Sequence, residues 1–106
     1  MGTVIESRFQ RNLIKEIRSL FFDAVVMKLD ARYKQGVPDL LILYGNKWAT
    51  LECKKSATAE HQPNQDLYVD KMNNMSFSRF VYPENKEEVI RDLIEFFNGK
   101  ERTDTE

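Results

Sequence analysis

The chain has 106 residues, 42% of them hydrophobic, which suffices for one core and not for two. Sixteen Lys and Arg against 17 Asp and Glu leave a formal net charge of −1, so any binding to nucleic acid must rest on local basic patches. The single cysteine, Cys53, excludes an internal disulfide, and no apolar run approaches the ~20 residues that cross a bilayer, so a cytoplasmic protein in a reducing compartment is expected.

Ile5, Phe9, Leu13, Ile17 and Phe21 recur at every fourth position and predict an amphipathic helix over residues 3–20, with Thr3 as its N-cap. Val25, Val26, Met27 and Leu29 predict a strand over 24–29, and a polar turn follows at 32–36. Leu40–Tyr44 is apolar on both alternating faces, the pattern of a central strand covered on both sides. Gly45 and Asn46 then form a tight turn, from which residues 48–54 return as a hairpin partner.

Residues 56–62 read as a polar connection. Pro63 fits the first turn of a second helix that runs to about Asn73, with Leu67, Tyr68 and Met72 facing inward. A further strand is expected over 77–82. Asn85 with Glu88 has the spacing of a capping box, and Val89, Ile90, Leu93, Ile94 and Phe97 form the stripe of a last helix that Gly99 stops. The order is helix, three strands, helix, strand, helix, which predicts an α/β domain over residues 1–99 around one mixed sheet. Residues 100–106 read as a polar tail that frays.

The segment richest in chemistry is Gly36-Val37-Pro38-Asp39, then 12 intervening residues, then Glu52-Cys53-Lys54. Residues two apart in a strand share a face, so Glu52 and Lys54 point together while Leu51 and Cys53 point into the core. Asp39 opens the neighbouring strand and is placed across from Glu52. Two carboxylates thus meet one ammonium in a site that is expected to be partly exposed. Phosphodiester hydrolysis uses a hard cation to polarise a phosphoryl oxygen and acidify water, and Mg²⁺ prefers oxygen ligands. Asp39, Glu52 and the backbone carbonyl of Cys53 are suitable donors. Lys54 has three open roles: orienting the water, deprotonating it, or stabilising charge on the phosphorane.

These residues resemble the signature of the PD-(D/E)XK nucleases, and Glu6 with Pro63-Asn64-Gln65 resembles its VRR-NUC branch, over a span from Glu6 to about Tyr82. The resemblance implies an α-β-β-β-α-β core, here followed by a C-terminal helix, and dependence on Mg²⁺ or Mn²⁺. It implies metal ligation by Asp39 and Glu52, with Lys54 beside the water, Glu6 near the metal and Gln65 at the edge of the site. A stand-alone domain this short is most similar to phage-borne members, for which a homodimer cutting branched DNA such as four-way junctions in the host cytoplasm is implied. Rival readings are a flap-type or nonspecific nuclease, and a non-catalytic module that holds nucleic acid.

Glu6 has a second reading, because it lies three residues after Thr3 and can close a capping box. Gln65 can equally be an exposed residue of a helical first turn. Arg32, Lys34 and Lys55 are the candidate DNA contacts, with Lys47 and Lys54 in the same basic third of the chain. Lys55 is expected on the face opposite Lys54. His61 reads as a surface residue, and Trp48 and Tyr68 as packing residues. Phe21 and Phe22 adjoin the first stripe and serve either a dimer interface or the core.

Overall fold

The structure is a computed structural model that describes residues 4–99, with side chains from Ser7 onward. Three helices, α1 (Val4–Leu20), α2 (Gln65–Met75) and α3 (Lys86–Asn98), accompany four strands, β1 (Val25–Lys28), β2 (Leu40–Tyr44), β3 (Lys47–Cys53) and β4 (Ser78–Val81). The strands form one sheet in the order β1-β2-β3-β4. Its first three strands run antiparallel, and β4 joins β3 in parallel after the crossover through α2. A mixed α/β fold is therefore established, with every expected element present and boundaries displaced by one or two residues. Thr3 lies outside the described residues, as does the side chain of Glu6.

The hairpin turn shows how locally the register is fixed. Tyr44 pairs with Lys47 across the two residues Gly45 and Asn46, and Gly45 has φ 63, the left-handed backbone that such a loop requires at its first position. The pairing Leu40 to Leu51 and Ile42 to Ala49 then puts these four side chains on one face. Against them pack Leu13, Ile17 and Phe21 of α1 and the stretch following it, and Val89, Leu93 and Phe97 of α3. Phe21 meets Tyr44 and Phe97 at ring centroid distances of 5.2 and 5.1 Å. It is a core residue and supplies no interface surface, whereas Phe22 is 86% exposed. Glu16 and Lys86 tie α1 to α3 at 2.8 Å, and this contact raises the Lys86 ammonium above the ordinary lysine range.

The opposite face of the sheet is covered over β3 and β4 by α2 and by the turn that precedes it. Val25, Met27 and Leu43 on that face remain partly exposed beyond their reach. α2 itself begins at Gln65, two residues after Pro63, because Asn64 has φ 71 and cannot continue a helix backwards. Gln65, Val69 and Met72, spaced four and three apart, form its inward stripe, with Val69 its fully buried residue. Leu67 lies about 200° around the helix from Gln65 and is 59% exposed, contrary to its expected inward direction.

Two terminal features also differ from expectation. Asn85 makes no side-chain cap on α3; its Oδ1 accepts from the Tyr82 N–H at 2.8 Å and its Nδ2 donates to the Phe80 carbonyl at 3.0 Å, fastening the end of β4 to the helix start. Lys47, placed by sequence among the basic patches, donates to the Phe96 carbonyl at 2.9 Å and so satisfies an orphan acceptor in the last turn of α3. No helix among the described residues is long and apolar enough to cross a membrane.

Candidate functional site

The hairpin register sets the first half of the site. Since Leu40 pairs with Leu51, continuing the ladder by one residue places Asp39 beside Glu52 on the face that α2 covers. Asp39 Oδ2 accepts from the Cys53 N–H at 2.9 Å, so its carboxylate takes over a donor at the end of the ladder. Cys53 is fully buried on the other face, as its alternation requires.

α2 brings the second half. Gln65 opens its inward stripe, and that position carries the amide to the β3 carboxylate: Gln65 Nε2 donates to Glu52 Oε2 at 2.8 Å. Its Oε1 accepts from Lys54 Nζ at 2.6 Å and from the Gln62 N–H at 2.8 Å. Lys54 Nζ donates also to the Glu60 carbonyl at 3.1 Å and lies 3.8 Å from Glu52 Oε2. Gln65 therefore bridges acid and base with both ends of one amide. Four of the residues singled out by sequence, Asp39, Glu52, Lys54 and Gln65, converge on one side of the sheet.

The partial exposure expected of this group holds for Asp39 and is corrected for Glu52 and Lys54. Glu52 is 3% and Lys54 7% exposed, since the turn over residues 54–65 and the start of α2 lie across them. Such a buried pair is costly unless hydrogen bonds accompany the charges, and Gln65 and the Glu60 carbonyl provide them.

A close backbone approach holds that turn in place. Gly36 is buried with φ 94, and a Cβ built there would stand 2.5 Å from Asn64 Cβ and 2.9 Å from the Pro63 carbonyl oxygen. Only glycine lets the segment before Asp39 press against the residues that start α2. Gly45 shares the left-handed backbone, but a Cβ there would meet nothing within 4 Å. The two positions make a controlled pair. Gly45→Ala should cost about 1 kcal/mol from backbone strain alone, and Gly36→Ala at least ~2 kcal/mol more, because strain and overpacking add. Urea denaturation of both variants measures the difference, and equal losses would mean that the contact with Asn64 is unimportant.

The remaining sequence candidates lie apart from this cluster. Arg32 is held by Asp30, with its Nε and Nη2 donating to the carboxylate at 3.1 and 3.0 Å. That contact lowers the Asp30 carboxyl below its usual range and raises the guanidinium, and it partly offsets the charge Arg32 presents. Lys34 and Lys55 are exposed, and the Lys34 carbonyl accepts from the Val37 N–H at 3.3 Å. Trp48 and Tyr68 are half-buried packing residues. A concavity lined by Asn73, Arg79, Asp92 and Glu95 among others does not include Glu52 or Lys54.

His61 is more than the solvated residue that its polar surroundings suggest. Its Nδ1 lies 2.7 Å from Asp66 Oδ1, and its ring stacks on Phe80 at 4.2 Å between centroids and 19° between planes. Phe80 is the β4 partner of Glu52. Nothing in the spacing of residues 56–62 signals this, since it depends on contacts with α2 and β4.

The residues that could offer oxygen to a metal are Asp39 and Glu52, with the backbone carbonyl of Cys53 between Glu52 and Lys54. Hard oxygen donors of this kind suit Mg²⁺ or Mn²⁺, which complete their coordination with water or phosphate. Among the described residues no group of three or more His, Cys, Asp or Glu side chains is close enough to hold an ion, and Glu6 lies outside that set. Comparison of the chain with protein-family models, curated proteins and solved structures finds no match.

Proposed function

We propose that the chain is a metal-dependent endonuclease of PD-(D/E)XK type, acting on branched DNA as a homodimer. The observation that carries this reading is the convergence of four residues over one face of the β2-β3 hairpin, where Gln65 bridges Glu52 and Lys54 and Asp39 accepts from the adjacent Cys53 N–H. Asp39, Glu52 and the Cys53 carbonyl would hold Mg²⁺ or Mn²⁺, with Glu6 as a further candidate. The bound ion supplies phosphoryl polarisation and a more acidic water.

The residues of the chain divide the remaining work. Hydrolysis forms a bond from water oxygen to phosphorus, breaks the bond to the leaving oxygen and returns a proton to that oxygen. An ammonium has three N–H donors, and Glu60 and Gln65 take two of those on Lys54. The third serves a phosphoryl oxygen as negative charge grows there, so of its three possible roles we assign Lys54 charge stabilisation. Gln65 holds Glu52 and Lys54 apart, preventing a tight ion pair that would occupy both. Arg32, Lys34 and Lys55 contact phosphates outside the centre. Paired incision needs two chains, each contributing one centre.

The burial of Glu52 and Lys54 favours one second reading, a module that keeps the network for stability and binds nucleic acid through exposed Arg32, Lys34 and Lys55. Linear duplex, flap, splayed-arm and four-way junction DNAs, incubated with Mg²⁺, Mn²⁺ or EDTA, separate the two. Cleavage of the junction with either metal and none with EDTA is expected. Binding without cleavage under every condition would select the module. Within the nuclease reading, Lys54→Ala should lower turnover about a hundredfold, whereas exposed Lys55→Ala weakens DNA binding and its salt dependence with little change in turnover.

A further inference from the structure

We propose that His61 is a positioning residue: with Asp66 and Phe80 it latches the turn over residues 60–65 to the sheet and so aims the Lys54 ammonium. This rests on the nuclease reading for its catalytic consequence, and on geometry alone for its effect on Lys54. Both oxygens that accept from Lys54 Nζ, the Glu60 carbonyl and Gln65 Oε1, belong to that turn or its last residue. A long lysine side chain has many rotamers, so its ammonium is only as well placed as the acceptors that hold it.

Gly36 presses on the turn at its far end, Pro63 and Asn64, and leaves its first residues, Glu60 and His61, to other contacts. His61, Gln62, Pro63 and Asn64 are exposed, and no strand or helix includes them. His61 supplies two perpendicular restraints. Its Nδ1 bonds to Asp66, in the first turn of α2, which fixes the position of the turn along the helix. Its ring lies flat on Phe80, which fixes the height of the turn above β4. Phe80 is paired with Glu52, so the latch is seated next to the carboxylate it serves. Glu60, whose carbonyl holds Lys54, is the residue directly before His61 and cannot move independently of it. The ionisable group in contact with the imidazole is Asp66 on α2.

Three variants separate the restraints. His61→Phe keeps a ring for Phe80 and loses the Asp66 bond, Asp66→Asn weakens the same bond from the other side, and His61→Ala loses both restraints. Two readouts are taken on each: steady-state cleavage of junction DNA with Mg²⁺, and the NMR signals of the Lys54 side chain in protein carrying labelled lysine, assigned with Lys54→Arg. The wild type should show Lys54 signals displaced from those of the solvent-exposed lysines. In His61→Ala they should collapse toward the exposed lysines, with kcat falling about 10- to 100-fold, as expected for a catalytic group moved by the order of an ångström, and KM within about twofold. His61→Phe and Asp66→Asn should be intermediate. Unchanged Lys54 signals in His61→Ala overturn the proposal, as does a shift of those signals with wild-type kcat. If the wild type cuts no DNA, the nuclease reading fails by itself and the Lys54 signals alone decide for or against the latch.

Discussion

If the chain is the proposed nuclease, Asp39→Asn and Glu52→Gln should each reduce metal-dependent cleavage by about a thousandfold or more, since each removes a charge proposed to bind the ion. Their effects on stability should differ. Asp39 is half-buried and uses one oxygen to accept from the Cys53 N–H. An asparagine carbonyl can accept the same bond, so Asp39→Asn should cost less than about 1 kcal/mol. Glu52 is 3% exposed and faces a Lys54 that is 7% exposed at 3.8 Å. Glu52→Gln leaves that ammonium buried without its carboxylate, which should cost about 3 kcal/mol. Gel assays of cleavage and urea denaturation of the two proteins check both halves. Turnover at the wild-type rate by either variant would remove the assigned centre, and equal stability losses would show that the charge on Glu52 does not support Lys54. Junction binding by Asp39→Asn should be retained or tightened, because one source of repulsion toward phosphate is gone.

The largest effect on stability alone is expected at Phe21. Its ring is 2% exposed and touches both Tyr44 of β2 and Phe97 of α3, where the first helix, the sheet and the last helix meet. Phe21→Ala removes apolar burial and leaves a cavity that three separate elements would have to shift to fill, so about 4 kcal/mol should be lost. In a domain of this size that is a large share of a total of about 5–15 kcal/mol, and the melting temperature should fall by roughly 15–20 °C. Phe22, the neighbouring aromatic, is 86% exposed. Phe22→Ala should stay within about 0.5 kcal/mol for an isolated chain. Thermal melts of both variants at low protein concentration measure the contrast. A difference below about 1 kcal/mol would mean that the aromatic cluster is loosely packed.

The helix and strand order was legible because each element carries its own period. Leu13, Ile17 and Phe21 are spaced for a helix face, and Leu40 and Ile42 for a strand face, and all five are buried. Asp39, Glu52 and Lys54 were legible for the same reason: strand alternation and a two-residue turn leave one register that buries the Leu40 face. α2 was the least legible helix, since its apolar residues Leu67, Tyr68, Val69, Met72 and Met75 are spread around the axis. Polar Gln65 occupies its buried stripe while Leu67 and Met75 stand exposed. A hydrophobic pattern cannot show a stripe whose leading member is an amide bonded to two charges. Asn85 likewise fits a cap by spacing, yet its side chain bonds to Tyr82 and Phe80 of the preceding segment.

Patterns along the chain thus determined the mixed α/β order, the core face of the hairpin and the acid-base group at its end, all consequences of periods of 2 and 3.6 residues with local turn chemistry. Only the tertiary structure decided that this group is enclosed. Enclosure depends on Gly36 meeting Asn64, His61 lying on Phe80 and Gln65 reaching Glu52, contacts between segments 13 to 28 residues apart. A polar turn without periodicity gives no sign of where it docks. Its position follows from which distant surfaces can accept its backbone and side-chain donors at once, a condition that exists only when the chain is folded.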